Sequence, residues 1–147
     1  MENERQRLQQ VLAQLDSYRG LTGILREQIS GMSAAMNEIV MTISTIEAMK
    51  DMKKDVDIMV PLGSDSFVQA KLAPSAKLVT GIGAEVVVER TAEEAIVALK
   101  AKAADLEKAL KETVAEIEQL EKKAEALRPE AEELLEKMKK AQKPGTG

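Results

Sequence analysis

The sequence predicts a mainly α protein: a long antiparallel coiled-coil hairpin of two helices, with a central four-stranded β segment made of two β-hairpins. Three observations carry this. Apolar residues recur at alternating steps of three and four near both ends of the chain, the middle abandons that rhythm for β-type alternation, and rings are scarce. Tyr18 and Phe67 are the only aromatic residues, so a compact core of ordinary composition is not expected. With 44% hydrophobic and 31% charged residues, the mixture of Ala, Glu, Lys, Leu and Ile suits long helices that bury a narrow stripe.

The first helix is expected over residues 5–55. With Leu8 as an a position, its ladder runs Leu8, Val11, Leu15, Tyr18, Thr22, Leu25, Ile29, Met32, Met36, Ile39, Ile43, Ile46, with Thr22 the polar exception. The second is expected over 92–141 and runs Ile96, Leu99, Ala103, Leu106, Leu110, Thr113, Ile117, Leu120, Ala124, Leu127, Ala131, Leu134, Met138. Sustained heptads of this kind make a coiled-coil seam rather than the face of a globular helix. Thr91-Ala-Glu-Glu94 forms a capping box that starts the second helix near Ala92, with the Thr91 hydroxyl and the Glu94 carboxylate serving free amides. Each helix spans roughly 70 to 75 Å at the α-helical rise. Equal lengths fold back on one another, so residues whose numbers sum to about 147 face each other and Leu8 faces Met138.

Residues 57–90 carry the β signals, with strands expected at 57–62, 66–72, 77–80 and 84–90. Gly63-Ser-Asp65 joins the first pair, Ala73-Pro-Ser-Ala76 the second and Gly81-Ile-Gly83 the third. Four short strands cannot cover their own faces and edges, and a coiled coil does not cover them either, so other subunits complete the sheet. Pro61 fits an edge or a strand end, because it has no amide to donate. The tail 142–147 is expected to be disordered.

Composition narrows the chemistry. The chain has no His, Cys or Trp, which removes the usual zinc sites, thiol nucleophiles and the Ser-His-Asp arrangement. Neither cofactor nor metal is expected, and the chain is not read as an enzyme. A net charge of −4 offers no basic field for nucleic acid, and no apolar run approaches a membrane span. A soluble intracellular protein is expected; the missing cysteine fits any reducing compartment, and the cytoplasm is the location expected. Gly81-Ile-Gly83 lacks the following helix of a phosphate loop, and the Glu130, Glu132, Glu133 cluster reads as a solvated face.

The stretches Val60-Pro-Leu-Gly-Ser-Asp-Ser-Phe67, Val79-Thr-Gly-Ile-Gly-Ala84 and Val86-Val-Val-Glu-Arg90, set between two heptad helices, resemble the prefoldin family. Two hairpins rather than one mark its α class. The resemblance implies a hexamer of two α and four β subunits whose hairpins form an intersubunit β-barrel. It also implies that unfolded client proteins are held at the coiled-coil tips without ATP and delivered to a group II chaperonin. On this reading Val60, Leu62, Phe67, Val68, Leu72, Leu78, Val79, Ile82, Val86 and Val88 form the subunit interface. The client-binding candidates, taken by position near the tip, are Leu8, Val11, Leu12, Leu15, Leu21, Ile24, Leu127, Leu134, Leu135 and Met138. Leu12, Leu21, Ile24 and Leu135 lie off the seam, where a two-stranded coil leaves them unburied. Gly20 and Gly23, with Pro129 nearly opposite, make the tip segments soft enough to adapt to clients. A structural coiled-coil scaffold or filament subunit without client capture is the alternative reading.

Overall fold

A computed structural model describes residues 2–52, 56–73 and 77–142. The element order is α1 (Glu2–Lys50), β1 (Asp57–Gly63), β2 (Ser66–Lys71), β3 (Leu78–Gly83), β4 (Val86–Arg90) and α2 (Ala92–Gln142). The chain is thus mainly helical, with two long helices and two antiparallel hairpins. It divides into two compact units, one of Met1–Ala34 with Glu107–Gly147 and one of Ala35–Leu106. The expected ends of the first helix at 53–55, most of the 73–76 turn and residues 143–147 of the tail lie outside the described residues. Gln142 is the last residue of α2 rather than the first of the tail.

In the first unit, the start of α1 and the end of α2 run antiparallel. Leu8, Val11, Ala131 and Leu134 form its buried cluster, with Leu15, Leu127 and Met138 packed against it. Val11 is the most enclosed large side chain, at 0% exposure. Burying a side chain of that size stabilises by roughly 1.5–3 kcal/mol. Every ladder position of both helices is buried or half-buried, as the three-four spacing requires. The polar exception Thr113 is accommodated because its hydroxyl donates to the Ala109 carbonyl at 2.8 Å. α1 starts with Glu2 and Glu4 in its first turn, where carboxylates favour the helix dipole, and it passes without a break through Gly20 and Gly23. α2 likewise continues through Pro129.

In the second unit, Ile46, Ala95 and Ile96 form the core, and Ile43, Leu78, Ala92 and Leu99 pack on it. Leu78 thereby ties β3 to the helices. The last turn of α1 tightens through amide bonds from Asp51 to Ala48 and from Met52 to Met49. At the start of α2 the Thr91 hydroxyl accepts from the Glu94 amide at 3.2 Å, which is half of the expected capping box. The carboxylate half differs: Glu93, rather than Glu94, accepts a bond from its own backbone amide and pairs with Lys50 Nζ at 3.1 Å. Those two contacts, the backbone bond first, hold the Glu93 carboxyl below the usual range.

The strands form two separate two-stranded sheets, β1 with β2 and β3 with β4. Both hairpins use one device. The register shifts between Pro61 and Gly63 and again between Gly81 and Gly83, and each bulge leads into a two-residue turn with left-handed backbone at both positions. The φ values are 47° and 59° at Ser64 and Asp65, and 50° and 61° at Ala84 and Glu85. Gly63 and Gly83, at φ 110° and 108°, take the conformation that only glycine enters freely. The second turn therefore lies at Ala84-Glu85, whereas the sequence places it at Gly81-Ile-Gly83. Those glycines belong to β3 and its bulge.

Ala84 and Glu85 are poorly suited to left-handed backbone, which costs on the order of 1–2 kcal/mol per ordinary residue. Replacing them with the residues such turns prefer, Ala84→Asn with Glu85→Gly, is expected to slow amide exchange of β3 and β4 about fivefold, equivalent to about 1 kcal/mol. Exchange unchanged in both strands would refute the turn assignment. In the first unit, Val11→Ala is expected to cost about 2 kcal/mol in chemical denaturation, whereas Leu12→Ala, one residue away and exposed, costs less than about 0.5 kcal/mol.

Candidate functional site

Heptad position decides which of the client-binding candidates reach water. Leu8, Val11 and Leu134 are buried within the seam of the first unit, and Leu15, Leu127 and Met138 are half-buried against it. These six stabilise the helix pair and are not presented as a surface, because a and d side chains point at the partner helix. Leu12, Leu21, Ile24 and Leu135 are different, with 42% to 56% of their surface exposed. Val114, at 43%, belongs with them; its e position was a signal that the sequence already held.

The exposed residues occupy two flanks. Leu21 and Ile24 border a groove of about 380 Å³ whose wall is completed by Leu25 and Leu120, with Gln28, Gln119, Glu116 and Lys123 around it. This is the g side of the seam. Leu12 and Leu135 both sit at e, so heptad geometry assigns them to the other flank. On that flank a second cavity of about 430 Å³ opens beside Thr22, Gly23 and Ala124 and is lined by Tyr18, Arg19, Arg26 and Arg128.

In the second unit, seven of the ten interface candidates are exposed: Val60, Leu62, Phe67, Val68, Val79, Ile82 and Val86. Leu72, Leu78 and Val88 are half-buried. Pairing explains the split in the second hairpin. Thr80 opposes Val88 and Leu78 opposes Arg90 on the face turned toward the helices, while Val79 and Val87 stand on the reverse face and are exposed. Met59 and Val87 are apolar and exposed but were not among the sequence candidates; nor were Val40, Met41 and Val97 on the helices, each exposed over more than half its surface. An isolated two-stranded hairpin is marginal in water, and these carry apolar residues on both faces with every strand an edge. Among the described residues no group of three His, Cys, Asp or Glu side chains could hold a metal, and no helix is long and apolar enough to cross a membrane.

Two cross-helix ion pairs lie in the first unit. Arg7 grips Glu130 with both prongs, Nε to Oε1 at 2.6 Å and Nη2 to Oε2 at 3.0 Å. Arg26 Nη2 reaches Glu121 Oε1 at 2.8 Å. The Arg7 hydrogen bonds hold the Glu130 carboxyl below its usual range, against an opposing effect of desolvation. A carboxyl depressed on folding contributes stability above its unfolded pKa of about 4.3, and that contribution fades as pH falls through the lower folded value. Glu130→Gln is therefore expected to lower the thermal midpoint at pH 7, with the deficit shrinking near pH 3 and at high salt. A deficit independent of both pH and salt would show that packing, not charge, is responsible.

Known proteins agree with this architecture. The family model described as "Prefoldin subunit" matches residues 18–137. Prefoldin subunit alpha 1 of Methanocaldococcus jannaschii is 32% identical over 142 residues, covering 97% of each chain. Prefoldin subunit alpha of Methanococcus aeolicus is 31% identical over 131 residues, covering 89% of each. Among solved structures, a chain of filamentous PFD from Methanocaldococcus jannaschii superposes with a TM-score of 0.71 at 23% identity, covering 80% of this chain and 98% of that one, which supports the fold. Two heptad helices bracketing a pair of bulged hairpins, together with a family match over most of the length, establish that the chain belongs to the prefoldin family.

Proposed function

We propose that the chain is an ATP-independent chaperone subunit of the α class, acting in the cytoplasm as a holdase for unfolded polypeptides. The observation that carries this reading is the exposure of Leu12, Leu21, Ile24 and Leu135 on a helix pair whose ladder positions are all buried or half-buried. Unfolded chains offer apolar segments of no fixed shape, and scattered apolar residues on a stable scaffold suit them. The hairpins serve assembly: their exposed faces and open edges pair with β-type subunits in a hexamer of two α and four β chains, closing an intersubunit β-barrel. Captured clients then pass to a group II chaperonin.

Energetics make assembly a requirement of capture. If one helix pair buries roughly 150 Å² of apolar client surface, the gain at about 25 cal/mol/Å² is under about 4 kcal/mol, a millimolar contact before ordering costs. Several such contacts on one client raise avidity by orders of magnitude, yet each lets go quickly. A holdase without a nucleotide cycle needs that combination. Backbone softness at Gly20, Gly23 and Pro129 lets the contacts follow clients of different size.

The test combines the chain with a β-type subunit and replaces Leu12, Leu21, Ile24 and Leu135 together by Ser. The assembly mass is expected to stay unchanged, and suppression of client aggregation without nucleotide to fall by more than about tenfold. The competing reading, a scaffold or filament subunit without client capture, requires the opposite: wild-type assemblies that protect no client, or a variant that protects as well as the wild type. Mass measurement also separates a closed hexamer from an open filament.

A further inference from the structure

The irregularities of the first unit's seam fall at one height. Tyr18 is the chain's single tyrosine and stands at a d position where a leucine would be ordinary; Thr22 is the polar exception of the first ladder. Gly23 has open space where a Cβ would be, and Ala124 is a small residue at an a position on the facing helix. Together they open the 430 Å³ cavity described above, whose other walls are apolar at Leu15 and Leu120.

Charge at this cavity is also irregular. Arg19, Arg26 and Arg128 line it against Glu121 and Glu125 in a protein whose net charge is −4. Arg26 is paired with Glu121 at 2.8 Å. The ion pairs of the described residues include neither Arg19 nor Arg128. Both are e residues whose numbers sum to 147, so an antiparallel seam places two arginines at the same height beside one cavity. Guanidinium groups present planar forks matched to carboxylates, and the Tyr18 phenol adds a hydroxyl donor.

We propose that this cavity is a binding site for an acidic peptide segment, with Arg19 and Arg128 receiving a side-chain carboxylate and Tyr18, Leu15 and Leu120 supporting the adjacent apolar part of the peptide. The size and the mixed lining favour a peptide over a bare small anion. This recognition is by charge, lies on the opposite flank from the Leu21 and Ile24 groove, and does not depend on the capture of apolar clients.

The chain has one tyrosine and no tryptophan, so the tyrosine emission of the full-length chain reports this site alone. The experiment titrates that chain with a peptide of Glu, Leu and Gly, and with the same peptide carrying Gln for every Glu. Expected are a change in Tyr18 emission and saturable binding of the acidic peptide only, weakened at least about tenfold in Arg19→Gln with Arg128→Gln and by raised salt. The double variant is expected to melt no lower than wild type, because among the described residues it breaks no ion pair; Leu21→Ser with Ile24→Ser is expected to bind like wild type. Equal binding of the two peptides, unchanged affinity in the arginine variant, or a lower melting point that accounts for its loss would each overturn the proposal. So would inorganic phosphate or an oligonucleotide that displaces the peptide at lower concentration than unlabelled acidic peptide does.

Discussion

A seam built on alternating steps of three and four covers only a narrow stripe on each helix, and this limit governs the rest of the molecule. Every ladder position from Leu8 to Ile46 and from Ile96 to Met138 is withdrawn from water by the facing helix. An apolar residue one step off the stripe has no such partner. Leu12 beside Val11, and Leu135 beside Leu134, show how sharp the boundary is: adjacent residues of like chemistry, one buried and one exposed. Stability and surface are thus separated by register rather than by residue type.

The hairpins meet the same limit in another form. Leu78 reaches the Ile46 and Ile96 cluster and anchors β3, but a strand offers only alternate side chains to one side. The reverse face, with Val79 and Val87, is left to water, as are Leu62 and Phe67 in the first hairpin. Repetition of one bulge and one left-handed turn in both hairpins gives them the same local form, with strained residues tolerated at Ala84 and Glu85. A chain that leaves this much apolar strand uncovered is incomplete as a monomer, and the proposed subunit pairing follows from that deficit.

The sequence made the ladders legible because a period repeated over many turns is a strong signal, and the hairpins because their alternation interrupts it. Finer choices failed where two local signals competed. Gly81-Ile-Gly83 reads as a turn by composition, yet its glycines serve a bulge, and the turn falls on Ala84-Glu85, a pair that no turn preference selects. Thr91 was recognisable as a cap, but Lys50, distant in sequence, draws in Glu93 and replaces the local Glu94 contact. Leu8, Val11 and Leu134 are both seam residues and candidates taken by position near the tip, and the structure buries all three in the seam. The Tyr18 cavity could not be read at all, since its lining combines Thr22 and Gly23 of α1 with Ala124 of α2, residues distant in sequence.

Charge on the flanks accounts for how exposed apolar residues remain compatible with one antiparallel register in the first unit. Arg7 and Glu130 are both g residues, and Arg26 and Glu121 both e residues, so each pair bridges the helices along one side of the stripe. Their energies are small individually, as exposed pairs are. Their positions matter more: sliding one helix by a heptad moves Glu130 away from Arg7 and Glu121 away from Arg26 at once, so the charges penalise slipped registers in addition to any penalty from the apolar seam. The same residues break up the flanks, since Arg7 and Leu21 share the g side and Leu12 and Arg26 share the e side. Apolar groups are therefore held in small separate patches, each too weak to draw two helix pairs together permanently and each still open to a flexible chain that reaches several of them.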